Sequence, residues 1–264
     1  MIKSRKAELT TQQIVMLVIL ITSFVIILIF LFVLNPGETT GKEVCHESVV
    51  LKGKSFISSG PLNCQTDYVC ISGGGKCENF NPTETVDVDL SKSDAKNQVM
   101  KAIAEKMSDC WWMFGEGKIN YVGAGASATN YCSLCSIISF DDKIKLLENV
   151  QYNDFYEELN KPKDSSQTYL KYLYNVGDVS GFKENFESQD IKGEDYLLNI
   201  LDFNKEYVIL TGMYKAGYFT YESDNMRAPW NFFETNSESF PVVLLEKDKK
   251  SYDLIDCEEF LTKA

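Results

Sequence analysis

The sequence predicts an α+β protein: one amino-terminal transmembrane helix followed by a disulfide-rich, mixed α/β extracytoplasmic domain. Three observations carry this reading. Residues 14–34 run 21 positions without a charge. All eight cysteines lie beyond that run. The 230 residues that follow it alternate between stretches of strand period and stretches of helix period. The whole chain, at 44% hydrophobic and 12% aromatic residues, has the composition of a folded protein.

As a helix, 21 residues rise roughly 31 Å, about the hydrocarbon thickness of a bilayer. Thr22 and Ser23 are its only hydroxyls, and each can bond back to the preceding turn. The arm at 1–13 carries Lys3, Arg5 and Lys6 against Glu8 alone. A short basic flank stays cytoplasmic, so the chain from Asn35 onward is expected outside the membrane. The apolar run exceeds the roughly 7–15 residues of a signal-peptide core and lacks an A-x-A-like site, which favours an uncleaved anchor. It presents no small-xxx-small face, so no helix pairing is inferred. Arg5-Lys6-Ala7-Glu8 before a long apolar helix also resembles the leader junction of archaeal type IV pilin-like proteins, with Leu9 to Gln13 interposed. That resemblance implies an alternative role as a filament subunit.

Outside the arm the chain holds 23 basic and 37 acidic residues, a net charge of −14. This excludes nucleic acid and anionic lipid headgroups as natural partners. Cysteines on the outer side of a membrane oxidise, so Cys45, Cys64, Cys70, Cys77, Cys110, Cys132, Cys135 and Cys257 are expected in disulfides. Eight cysteines allow 105 pairings. Geometry narrows them. Residues 64–70 alternate like a strand, which would hold Cys64 and Cys70 roughly 20 Å apart, whereas a disulfide needs Cα atoms within about 7 Å. Cys45 and Cys77 then become their natural partners, in a knot confined to 45–77.

Taken in order, residues 35–42 (NPGETTGK) read as a polar stalk. Residues 44–51 and 62–71 read as strands bounded by Gly-Pro and Gly-Gly-Gly turns, placing a small Cys-rich β subdomain at 43–80. Residues 84–90 alternate cleanly and predict a half-buried strand at the start of an α+β domain spanning 81–264. The acidic face of that strand, Asp87 and Asp89, lacks EF-hand spacing and reads as solvated. Residues 91–114 carry the strongest helix signal: Ser91 and Asp94 form a capping-box pattern, Gly115 is a stop, and Val99, Ile103, Met107, Cys110 and Phe114 form one apolar stripe. Cys110 therefore faces the core. Trp112 falls off the stripe and is a candidate contact residue. Gly115-Glu-Gly-Lys118 lacks the spacer and hydroxyl of a phosphate loop and follows a helix where that motif opens one, so no nucleotide site is assigned. Residues 123–128 read as a glycine- and alanine-rich loop.

Cys132-Ser-Leu-Cys135 is the one spacing with redox potential. Redox C-x-x-C pairs sit at a helix amino terminus, but residues 136–140 are β-like here. On a strand the two cysteines point to opposite faces and take separate partners, for which Cys110 and Cys257 remain. One distant histidine, His46, makes a poor zinc set.

Three segments, EVCHESVV at 43–50, DCWWMFGEGK at 109–118 and CSLCSIISFD at 132–141, resemble a group of single-pass membrane proteins from small-genome archaea. The resemblance covers the anchor and about the first half of the body. It implies an archaeal cell envelope, and no activity.

Residues 141–159, 165–175 and 179–188 are expected to be mostly helical, with Lys161-Pro-Lys163 as a break and Ile144, Leu147, Val150 and Phe155 on the buried side. Residues 207–214, 240–245 and 252–255 are strand candidates, the last two a hairpin across the charged turn 246–250. Between them, residues 217–239 form a long aromatic stretch without a period. Loops of this length often carry function, so Tyr218, Phe219, Tyr221, Trp230, Phe232 and Phe233 are candidate contact residues.

These features predict a non-enzymatic, membrane-anchored structural or interaction protein of the cell envelope. It is expected to partner the bilayer through 14–34 and another envelope or cell-surface protein through its body. A histidine-based triad or multi-histidine metal site has only His46 to draw on. No cofactor motif and no metal site are assigned. The enzymatic alternative is a thiol–disulfide oxidoreductase using Cys132 and Cys135.

Overall fold

The computed structural model describes residues 11–34, 41–54, 62–78, 81–122, 130–181, 200–214, 239–248 and 257–263. The chain divides into two units, Met1–Thr40 and Gly41–Ala264. In the first, helix α1 spans Thr11–Leu34. Its side chains are described from Gln12 to Leu28 and all are exposed. Thr22 Oγ1 donates to the Ile19 carbonyl (3.0 Å) and Ser23 Oγ to that of Leu20 (2.9 Å), so both hydroxyls are satisfied within the helix. Among the described residues no helix is long and apolar enough to cross a membrane.

The second unit is built on a six-stranded mixed sheet in the order β2-β1-β3-β6-β7, with β8 also pairing β3. The strands are β1 (Asp67–Ser72), β2 (Glu84–Asp87), β3 (Asn130–Phe140), β6 (Tyr207–Tyr214), β7 (Ser239–Glu246) and β8 (Glu259–Phe260). Strand β1 runs parallel to β2 and β3, while β6 runs antiparallel to β3 and β7. Strand β3 is central and nearly all its residues are buried, which suits its run of apolar and small side chains. A bulge between Leu134 and Ser136 shifts its register against β6. Tyr131, Cys135, Ile138 and Phe140 join the main core, while Cys132 and Ile137 join a second cluster with Val208, Leu210 and Phe240.

Helix α3 (Ala95–Met113) packs on β3, β6 and β7, with its stripe Val99, Ile103, Met107, Cys110 and Phe114 fully buried. Helices α2 (Gly41–Lys54), α4 (Tyr152–Leu159) and α5 (Tyr169–Tyr174) pack on α3. The strands β4 (Val150–Gln151) and β5 (Ile200–Leu201) form a separate two-stranded pair.

Several local expectations change. Residues 44–51 are helix, not strand: Cys45 and Val49, four apart, are the buried pair, Glu43 lies in the first turn, and Lys52 and Lys54 lie in the last, each favourable to the helix dipole. Residues 43–80 are therefore not a separate β subdomain, since α2 packs on α3 and β1 belongs to the main sheet. The strand expected at 62–71 begins only at Asp67, because Gln65 instead bridges Lys263 beside β8. Ser91 does not cap α3; its N–H and hydroxyl both bond to Asp89 Oδ1 (3.0 and 2.6 Å), and the helix starts four residues later. The stretch 141–159 is a 3-10 turn, then β4, and only then α4, because Leu147 turns extended and Val150 pairs with Leu201. The helix expected from 165 starts at Tyr169, since the Asp164 carboxylate holds Ser166 and Gln167 in a turn and Thr168 supplies the cap. The loop at 123–128, most of the helix at 179–188 and the strand at 252–255 lie outside the described residues.

The eight cysteines form four disulfides: Cys45–Cys64, Cys70–Cys77, Cys110–Cys135 and Cys132–Cys257. The first two close within 45–77 and keep Cys64 and Cys70 apart, even though only Cys70 lies on the strand. The other two leave β3 from opposite faces, Cys135 to helix α3 and Cys132 to the second cluster.

Close packing of β6 against its neighbours depends on Gly212. A Cβ there would lie 2.2 Å from the Tyr131 carbonyl oxygen and 2.3 Å from the Phe240 ring. Gly212→Ala should therefore cost about 2–3 kcal/mol, the scale of overpacking in a core. Urea unfolding checks this, and a midpoint equal to wild type would show that β3 and β7 can part at no cost.

Candidate functional site

Helix α3 ends at Met113 with Phe114 as its cap, and the chain then takes three successive left-handed residues: Gly115, Glu116 and Gly117, at φ of 77°, 56° and 70°. The Lys118 N–H closes this turn on the Gly115 carbonyl (2.9 Å). The two glycines are matched to their places. A Cβ on Gly115 would lie 2.8 Å from Ile119 Cδ1, and one on Gly117 2.8 Å from Ser239 Oγ and 3.0 Å from the Trp111 ring. Glu116 has no such excuse. A non-glycine residue in this region costs roughly 1–2 kcal/mol, and such strain concentrates at functional sites.

Side-chain bonds hold Glu116 in that conformation. Its Oε1 accepts from the Tyr172 hydroxyl (2.8 Å) and its Oε2 from Lys118 Nζ (2.5 Å). Tyr172 is presented by α5, whose cap Thr168 Oγ1 accepts from the Lys171 N–H (3.1 Å) and whose end at Asn175 is again left-handed, at φ 56°. Lys163 Nζ sits 4.4 Å from the Tyr172 ring centre. Between this turn, α5 and the start of β7 lies a cavity of about 310 Å³, lined by Trp111, Glu116, Lys118, Gln167, Lys171 and Tyr172 among others.

The carboxyl and the phenol that meet at the cavity are shifted in opposite directions. Burial by itself would raise the Glu116 carboxyl. The hydrogen bonds from Lys118 and Tyr172, with the charge of Lys118 nearby, outweigh burial and hold it below the ordinary range. Burial and the Glu116 carboxylate push the Tyr172 phenol well above its ordinary value. Glu116 is thus a weak base at neutral pH and Tyr172 a donor, neither poised for proton transfer. An ionised carboxylate offers about four acceptor positions, of which Tyr172 and Lys118 take two.

Next to the turn, the His46 ring stacks on Trp112 of helix α3 with centroids 4.2 Å apart and planes 12° from parallel. His46 Nδ1 lies 2.7 Å from the Trp112 carbonyl oxygen and donates to it. Trp112 is half-exposed, at 36%.

Of the residues singled out from sequence, Trp112 stacks on His46, and its neighbour Trp111, not Trp112, lines the cavity, while Tyr218, Phe219, Tyr221, Trp230, Phe232 and Phe233 lie outside the described residues. Only the last residue of that aromatic stretch, Ser239, is described, and it lines the cavity. Cys132 and Cys135 are not bonded to each other, and all the cysteines are in disulfides. Among the described residues no group of three or more His, Cys, Asp or Glu side chains could hold a metal ion. Sequence reasoning missed Glu116, Gln167, Lys171 and Tyr172. The one local signal was the Gly-Glu-Gly following a long helix, which marks a left-handed turn but says nothing of what packs against it.

Compared with known proteins, the chain matches no family model, no curated protein and no solved structure.

Proposed function

We propose that the protein is a membrane-anchored, extracytoplasmic binding or structural module of the cell envelope, without catalysis of its own. The observation that carries this reading is the use of every cysteine in a disulfide within one mixed α+β body. A disulfide set of this density is usual in oxidising compartments and rare in a reducing cytoplasm. The uncharged run at 14–34 behind a basic arm supplies the anchor and its orientation. The separation of Cys132 from Cys135 supports a structural role for both, because an oxidoreductase pair closes on itself.

Labelling of intact cells with a membrane-impermeant maleimide, read out cysteine by cysteine, tests this. No cysteine should label until strong reductant is added, after which all eight should label without cell lysis. Labelling of Cys132 or Cys135 at once or after mild reductant would instead favour the oxidoreductase. Labelling that requires lysis would place the body on the inner side.

A further inference from the structure

The cavity at the Glu116 turn brings together a left-handed non-glycine residue, two lysines, an amide and two aromatic rings. A strained residue is retained where glycine would remove the strain. Two lysines, Lys118 and Lys171, stand at its lining in a body whose overall charge is strongly negative. Lys118 is tied to Glu116, whereas among the described residues Lys171 Nζ reaches only the Asn175 carbonyl, at 3.4 Å, using one of its three donors. Gln167 adds an amide, both donor and acceptor, and Trp111 and Tyr172 add ring surface.

From this lining we propose that the cavity binds an acidic sugar, a uronic-acid residue, with Lys171 recognising its carboxylate and Glu116 and Gln167 recognising its hydroxyls. A ligand made only of acceptors, such as phosphate, would bring its charge against the Glu116 carboxylate. A neutral sugar would gain from the Lys171 ammonium only a hydrogen bond to a neutral acceptor, weaker than one to a carboxylate. A uronate offers hydroxyl donors to the open positions of Glu116 and a single negative charge to Lys171. The volume of about 310 Å³ lies at the small end of ligand pockets and suits one or two sugar units. Aromatic rings in the lining match the apolar C–H face of a pyranose. The proposal rests on reading this body as a binding module but not on the side of the membrane it occupies, so it and the labelling result fail separately.

The test is titration of the full-length protein in detergent with glucuronate, glucose and acetate, followed by calorimetry or saturation-transfer NMR. Glucuronate should bind at least about tenfold more tightly than glucose or acetate, the difference expected of one charge-assisted hydrogen bond added to the hydroxyl contacts. Lys171→Ala, at an exposed site, should leave the unfolding midpoint unchanged and reduce glucuronate binding to the level of glucose. Tyr172→Phe should weaken glucose and glucuronate alike, because it frees Glu116 from its place. Absence of glucuronate binding at about 10 mM overturns the proposal, as does equal binding of glucuronate and glucose, equal binding of glucuronate and acetate, or an unchanged affinity in Lys171→Ala.

Discussion

Replacing Asp141 by alanine should destabilise the protein by about 4 kcal/mol, a large share of what a domain of this size holds in reserve. The carboxylate is fully buried at the end of β3 and accepts four hydrogen bonds. Oδ2 takes the N–H of Gly73 (3.0 Å), the N–H of Gly75 (2.6 Å) and the hydroxyl of Ser72 (3.1 Å), and Oδ1 takes the N–H of Ile144 (2.8 Å). The Gly73-Gly74-Gly75 loop is wrapped around this one group. A Cβ at Gly75 would lie 2.6 Å from Oδ2, and one at Gly73 2.3 Å from Leu90 Cδ1. Alanine would take the acceptor from the buried N–H of Ile144 and the half-buried N–H of Gly73, at about 1–3 kcal/mol each where neither relaxes, while the Gly75 N–H keeps Ser72 Oγ as a second acceptor (3.1 Å). The same contacts set a pH dependence. Burial alone would raise the carboxyl, but the hydrogen bonds from Ile144, Gly73, Gly75 and Ser72 hold it below the ordinary aspartate value. With the folded value depressed, its contribution is complete above the unfolded value near about pH 4 and is lost as pH falls through the lower, folded one. Urea unfolding of the full chain in detergent from pH 7 to pH 2 should therefore show a steep acid limb, flattened in Asp141→Asn. A midpoint for Asp141→Ala within about 0.5 kcal/mol of wild type would refute the clasp.

The second large effect concerns the disulfides, whose loops differ widely in length. Cys132 and Cys257 are 125 residues apart, Cys110 and Cys135 are 25, Cys45 and Cys64 are 19, and Cys70 and Cys77 are 7. In the chain-entropy account, loops of these lengths contribute about 5, 3.5, 3 and 2.5 kcal/mol respectively. Paired serine substitutions should follow that order, with Cys132→Ser/Cys257→Ser the most damaging. The ranking also has a structural basis, because this bond is the long-range covalent tie that holds the segment bearing β8 to the central strand. Thermal or urea unfolding of the four double variants reads the order directly. A loss from opening Cys70–Cys77 that exceeded the loss from opening Cys132–Cys257 would mean that local strain, not loop entropy, governs these bonds.

What the residue pattern alone determined is what depends on nearest neighbours. The stripe of α3, its stop at Gly115 and the burial of Cys110 follow from a period of 3.6 over many turns, and the structure agrees residue by residue. The separation of Cys132 from Cys135 follows from the period of 2 along a strand, and the two keep separate partners even though the bulge in β3 falls at Cys135 itself, between Leu134 and Ser136. The mixed α+β character and the disulfide framework were likewise legible.

Tertiary packing decided the rest. Residues 44–51 hold too few apolar positions to distinguish a helix from a strand, and α3 chose the helix by covering Cys45 and Val49. Ser91 met both patterns, cap and turn, and the Asp89 carboxylate won it. The cavity at Glu116 was invisible in sequence for a stronger reason. Its groups come from 111–118, 167–175 and the start of β7, and no local period relates them. Only the docking of α5 against the end of α3 brings Tyr172 to a carboxylate 56 residues earlier, because hydrogen-bond partners are selected by distance in space, which short-range periodicity does not encode.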